Sequence, residues 1–218
     1  MEKRAIETMH TSVRGLEFLY RHEAQKGVSE HLYWPYGASG VTLGAGYDMK
    51  DRDAASIIAD MRRISLPAAT AQAVSAAAGL TSKTDPTAKQ FAADNHDLVS
   101  LSHRQETQLL AIVIPRFETN VRRHITVGLE QHQFDALVSF VYNIGSFLSV
   151  ARAINTGETA EAMNIMRRFV YSGGVKLQNL VDRRADEVTL YTTGFYVRKA
   201  RHPKHQTGQN ADQGAATH

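Results

Sequence analysis

The sequence predicts an α+β fold that is mainly helical, with a small β element near the N-terminus and a larger multi-helix lobe after it. Three observations carry this. Alanine is abundant and proline scarce, 5 in 218 residues, which favours helices. One glycine-punctuated stretch, LYWPYGASGVTLGAGYDM from Leu32 to Met49, is β-prone. Most of the remaining chain repeats its apolar residues at helical spacing.

The first helix is expected to start at Thr11 or Ser12, either of which can cap it. Leu16, Leu19, Tyr20 and Glu23 then share one face, so a carboxylate closes an apolar stripe at the helix's C-terminal end. Gly37, Gly40, Gly44 and Gly46 interrupt Val41, Thr42, Leu43 and Tyr47, giving a twisted hairpin or three short strands. Helical spacing resumes over 51–64. Pro67 is expected to open an alanine-rich helix and Pro86 another. Ser102 and Gln105 form a capping-box pattern ahead of Leu109, Leu110 and Val113. The clearest core helix is Glu130–Ile144, stopped by Gly145. Phe147–Asn155, Thr159–Tyr171 and Lys176–Thr193 complete the set as helices.

The organisation expected is an N-terminal extension over 1–10, one main domain over 11–196, and a disordered basic tail over 197–218. That tail holds almost no large apolar side chains. It also holds Arg198, Lys199, Arg201 and Lys204 against Asp212 alone, which accounts for the formal charge of +3. The body is therefore near neutral, which argues against a nucleic-acid groove. There is no cysteine, which excludes disulfides, zinc–thiolate sites and a cysteine nucleophile. No apolar run reaches the roughly 18 residues of a membrane span. The first residues lack the apolar core of a conventional signal peptide, so synthesis in the cytoplasm and a specialised route outward are expected.

The sharpest constellation is Glu23, Thr42 and Asp48. Glycoside hydrolysis needs two carboxyl groups flanking one bond, one protonated and one ionised. A Glu on an apolar helix face can stay protonated, because desolvation raises its pKa. Asp48 lies in a polar, glycine-exposed place suited to the ionised role, and the Thr42 hydroxyl could hold water. Each residue also has a plain structural reading. Glu23 could be a solvated helix end, Thr42 an ordinary strand residue, and Asp48 a helix cap alongside Asp51.

Three blocks resemble the phage-type lysozyme family, glycoside hydrolase family 24, and most of all its pesticin-like bacterial toxin branch. They are Glu23 with GVTLGAGYDM (40–49), QFDALVSFVYNIG (133–145) and LVDRRADEVTLYTTG (180–194). The resemblance implies a lysozyme-like fold. It also implies a muramidase that cuts the β-1,4 bond between N-acetylmuramic acid and N-acetylglucosamine of peptidoglycan, with inversion. Carried over, Glu23 is the general acid, Thr42 positions water and Asp48 is the second carboxylate, with Glu30 as fallback. Phage members usually place that carboxylate six residues before the Thr, where this chain has Tyr36; Asp48 is similar to the toxin branch's alternative.

The resemblance further implies that Arg183 or Arg184 pairs with Glu23. Such a pair would orient the carboxyl while opposing desolvation. The alternative is a solvated helix face with Arg183 and Glu187 as an i,i+4 pair. Tyr33, Trp34, Tyr36, Ser39, Asn143 and Arg183 are the expected groove residues. The aromatics could equally be hairpin packing. No cofactor is expected. Ten histidines are present without H-x-x-x-H spacing, so no metal site is expected either.

The expected setting is a monomer acting on glycan strands in the periplasm or cell wall of a bacterium. It would arrive as a phage endolysin, or as a secreted effector opposed by an immunity protein. A catalytically inert wall- or partner-binding module is the rival reading.

Overall fold

The computed structural model describes residues 3–197. The tail expected over 197–218 lies outside them, apart from Val197. Ten α-helices and two short hairpins are present among the described residues.

Helix α1 (Val13–Glu23) starts where the sequence puts it, with the Ser12 hydroxyl accepting from the Gly15 amide. Its inner side packs so closely on α7 (Gln131–Ile144) that a Cβ on Gly15 would lie 2.5 Å from the Asp135 carboxyl carbon. Glycine there is a demand of helix contact rather than of backbone shape.

Strands β1 (Thr42–Leu43) and β2 (Tyr47–Asp48) form the antiparallel hairpin. The third strand reduces to one bridge, Tyr33 with Thr42. Helix α2 (Ala54–Arg63) follows, capped by the Asp53 carboxylate on the Ser56 amide. The cap is thus neither Asp48 nor Asp51. Helix α3 (Ala68–Ser75) follows Pro67 as expected. Pro86, however, does not open α4 (Ala88–Asp94), because the Thr87 hydroxyl bonds the Gln90 amide and takes the cap. Helix α5 (His103–Val113) carries the Ser102–Gln105 capping box.

Three elements depart from the expected pattern. Helix α6 (Pro115–His124) begins almost directly after α5, with proline in its first turn. The helix expected over Thr159–Tyr171 stops early, as α9 (Thr159–Arg167). A second hairpin, β3 (Tyr171–Ser172) with β4 (Val175–Lys176), turns through Gly173 and Gly174, both at positive φ. Between α7 and α9 lies α8 (Leu148–Asn155), and α10 (Gln178–Thr193) closes the described fold, ending on left-handed Gly194.

Two apolar cores result. One surrounds α7, with Phe134, Leu137, Phe140 and Val141 buried against α1, α6, α8, α9 and α10. The other gathers the first hairpin, α2, α3 and α5 around Leu43, Tyr47, Met61 and Leu109. Phe117 and Tyr142 pack against both.

Residues 3–10 belong to this packing: Ile6 and Met9 are buried, and Arg4 bridges to Leu129. Glu118 on α6 fastens them, accepting from the Thr11 amide at 2.7 Å and contacting His10 and Arg122. Burial works to raise the Glu118 pKa. The bonds from Thr11, His10 and Arg122 outweigh burial and hold it below its ordinary value. A depressed folded pKa contributes stability above the unfolded value, and that stability is lost as pH falls through the folded value. Glu118→Gln should therefore melt lower than the parent at pH 6, and the gap should narrow as pH is taken down to 3.

Candidate functional site

The site is assembled from three elements: the end of α1, the first hairpin, and the α7–α10 pair. Glu23 is the last residue of α1, and its side chain is 13% exposed. Its carboxylate Oε1 accepts a hydrogen bond from Nη1 of Arg183.

Arg183 is itself buried, at 3% exposure, so the solvated-face reading of the Arg-Arg pair is wrong. Its Nε donates to Glu187 Oε1 at 2.9 Å and its Nη2 to the Ser139 carbonyl at 3.1 Å. The expected i,i+4 pair and the pair with Glu23 therefore both exist, and one guanidinium serves two carboxylates. Burial alone would favour loss of the Arg183 proton. Attraction from Glu23 and Glu187 reverses that and pushes its pKa upward.

Arg184 stays on the far side of Glu187. Its Nε lies 2.8 Å from Glu187 Oε2, and its Nη2 reaches Asn143 Oδ1 at 3.1 Å. The Ser139 hydroxyl adds a bond to Glu187 at 2.8 Å. Glu187 is fully buried, so these donors are what make its charge tolerable.

The hairpin supplies the opposite wall. Thr42 is the register partner of both Asp48 and Tyr33, across one antiparallel step on each side. Directly opposed residues point to the same face of a sheet. Tyr33, Thr42 and Asp48 therefore form one row. Asp48 Oδ1 accepts from the amides of Gly40 at 3.1 Å and Lys50 at 2.9 Å. A Cβ on Gly40 would lie 2.7 Å from that oxygen, so glycine there makes room for the carboxylate. Thr42 is buried, and its hydroxyl donates to the Gly40 carbonyl at 3.4 Å.

Tyr33 links the row to α1. Burial raises the pKa of its hydroxyl, and the negative charges of Glu23, Glu106 and Asp48 raise it further. Tyr33 thus lies in the field of both carboxylates of the expected pair. Its hydroxyl donates to the Gly44 carbonyl at 3.1 Å.

The other expected groove residues divide. Trp34 donates from Nε1 to the Ser39 carbonyl at 3.1 Å and packs on the hairpin core, which favours its packing role. Tyr36 is 56% exposed, at φ 87°, with its ring 5.4 Å from that of Trp34. Asn143 is exposed at the end of α7, held by Arg184. The fallback Glu30 gives its carbonyl to the Leu101 amide. Its Oε2 is buried without a hydrogen-bond partner.

Two residues that sequence reasoning missed belong here. The Tyr142 hydroxyl donates to the Ala45 carbonyl and ties α7 to the hairpin turn. Its position is why Gly46 must be glycine, since a Cβ there would overlap that oxygen, at φ +103°. Burial raises the Tyr142 pKa, followed by the charge of Glu23. The other is Glu106 on α5, 1% exposed, which accepts from the Tyr20 hydroxyl at 2.7 Å. Helical spacing puts both on inward faces, but only the fold shows what they meet.

A family model described as phage lysozyme matches residues 68–187. That span holds Asn143, Arg183 and Glu187, whereas Glu23, Thr42 and Asp48 precede it. Among curated proteins, the endolysin of Bacillus phage PZA is 37% identical over 98 residues, covering 43% of this chain and 38% of the relative. The SAR-endolysin of Escherichia phage Mu is 29% identical over 94 residues, covering 41% and 55% respectively. The matched stretch thus spans about two fifths of the first relative's length. Among solved structures, the endolysin of Escherichia coli phage FAHEc1 superposes with a TM-score of 0.56 at 20% identity, over 87% of this chain and 98% of that one. The muramidase domain of SpmX from Asticaccaulis excentricus gives 0.55 at 21% identity, over 84% and 98%. At such identities these two likenesses speak for the fold: a mainly helical, lysozyme-like α+β architecture.

Proposed function

The chain belongs to the phage lysozyme family, and from that membership we propose that it is a muramidase that hydrolyses the β-1,4 bond between N-acetylmuramic acid and N-acetylglucosamine in peptidoglycan. The observation that carries the reading is Glu23. It is a helix-end carboxyl fixed by a buried arginine, and Asp48 stands in the hairpin row with Thr42 and Tyr33.

In this reading protonated Glu23 donates to the leaving glycosidic oxygen. Asp48 accepts a proton from water on the opposite face of the sugar. Thr42, whose hydroxyl proton is engaged by Gly40, offers its lone pairs to that water. Attack from the far side inverts the anomeric centre. Exposed Tyr36 offers a flat face to the glycan, while Tyr33, Trp34, Ser39 and Asn143 shape the groove, and Arg183 holds Glu23 in place. No cofactor enters the reaction, and a single chain carries the whole site.

The named relatives are endolysins and SAR-endolysins. They favour an enzyme that reaches the wall at phage lysis over a secreted effector with an immunity partner. Among the described residues no helix is long and apolar enough to cross a membrane.

Mass spectrometry of purified sacculi after digestion tests the activity. Fragments ending in reducing N-acetylmuramic acid are expected. Anhydro ends would make the protein a transglycosylase, freed peptides an amidase, and intact sacculi an inert wall-binding module. Any of these overturns the reading.

A further inference from the structure

We propose that His31, His96 and Asp97 form a surface binding site for a zinc-class divalent ion, one that clamps the segment leading into the first hairpin onto the α4–α5 connection. One donor atom from each of the three residues lies within 4.8 Å of the other two. The two imidazole rings stack at 4.3 Å with 19° between their planes.

Each ring already has one nitrogen engaged in a hydrogen bond. His31 Nδ1 is 2.8 Å from the Val99 carbonyl, which can only accept. That nitrogen therefore carries the proton, and Nε2 presents its lone pair. A backbone carbonyl behind a histidine is the usual support of a metal-binding imidazole. His96 Nδ1 is 2.8 Å from Asp97 Oδ1 by the same logic. That bond orients the second ring until Asp97 turns an oxygen to the ion, where it brings a negative charge.

The donor set decides the ion. Two imidazole nitrogens and one carboxylate suit zinc, whereas magnesium and calcium take oxygen ligands. Zinc bonds of about 2.0–2.1 Å place tetrahedral ligands about 3.3 Å apart. Closing from the present separation falls to His96 and Asp97, whose side chains are 48% and 95% exposed. The remaining coordination position is left to water.

No local spacing in the sequence marks this group. Residues 31 and 96 are far apart in the chain and share no helix. The fold brings them together where Glu30 and Leu101 are already joined through backbone. Two residues beyond His31, Tyr33 pairs with Thr42, so an ion here would fasten the base of the hairpin.

Calorimetry on the chelator-treated full chain with zinc chloride tests the site. One zinc per chain is expected, with no magnesium binding, together with a melting temperature raised by several degrees in excess zinc. His96→Ala changes an exposed residue and should fold as the parent does in metal-free melts. It should weaken binding at least tenfold. His31→Gln, which keeps an N–H for Val99, should do the same. The tail holds His202, His205 and His218, so the triple His202→Ala, His205→Ala, His218→Ala chain is the control and should bind as the parent does. The proposal fails if zinc does not bind, if His31→Gln and His96→Ala bind unchanged, or if the tail substitutions abolish binding. None of these readouts depends on the hydrolytic activity.

Discussion

Glu23→Gln should lower the rate of sacculus hydrolysis by at least about 100-fold, the scale of a lost general acid. It should leave the melting temperature close to the parent's. The amide keeps the shape of the carboxyl, and its oxygen can still accept from Arg183. What it lacks is a proton to give the leaving oxygen. Asp48→Asn should also be severely impaired. Its carbonyl oxygen can still accept from Gly40 and Lys50, so the hairpin keeps its shape while the base is gone. Glu30→Gln, by contrast, should retain activity. If Glu23→Gln clears sacculi as fast as the parent, Glu23 is not the acid. If Glu30→Gln is dead while Asp48→Asn is active, the second carboxylate has been misassigned.

Arg183→Met should cost about 3–5 kcal/mol of folding stability, because it strips a cation from a buried network and leaves charge behind. Glu187 is fully buried and would be left with Arg184 and Ser139, and the Ser139 carbonyl would lose the Arg183 donor. The loss should read as a lower midpoint in urea. Glu187→Gln should cost less in the Arg183→Met chain than in the parent, since the two side chains pair with one another. An additive double variant would show that the two side chains do not support one another. Arg183→Lys should fall between, because one ammonium cannot reproduce three directed N–H bonds.

Much of this fold is legible in the chain. Ser12, the Leu16–Glu23 face and the Glu130–Gly145 helix carry strong local signals, and the structure follows them. The first hairpin is written in its glycines. Helix α6 is hidden because only Ile114 separates it from α5, and Pro115 opens a helix there instead of breaking one. The second hairpin has a signal in Gly173-Gly174, set between flanks that read as helix. At the site, spacing could pick out Glu23, Thr42 and Asp48. It could not decide whether Arg183 faced solvent or Glu23, because that depends on α10 lying against α7. The Tyr142–Ala45 tie and the His31–His96 stack are equally products of the tertiary fold.

Tyr142 has one more consequence. With Phe117 it packs against both apolar cores, and it also holds the turn that carries the Thr42–Asp48 pair. The two cores and the hairpin row are therefore one mechanical unit: a packing fault at either ring reaches Thr42 and Asp48 without touching them.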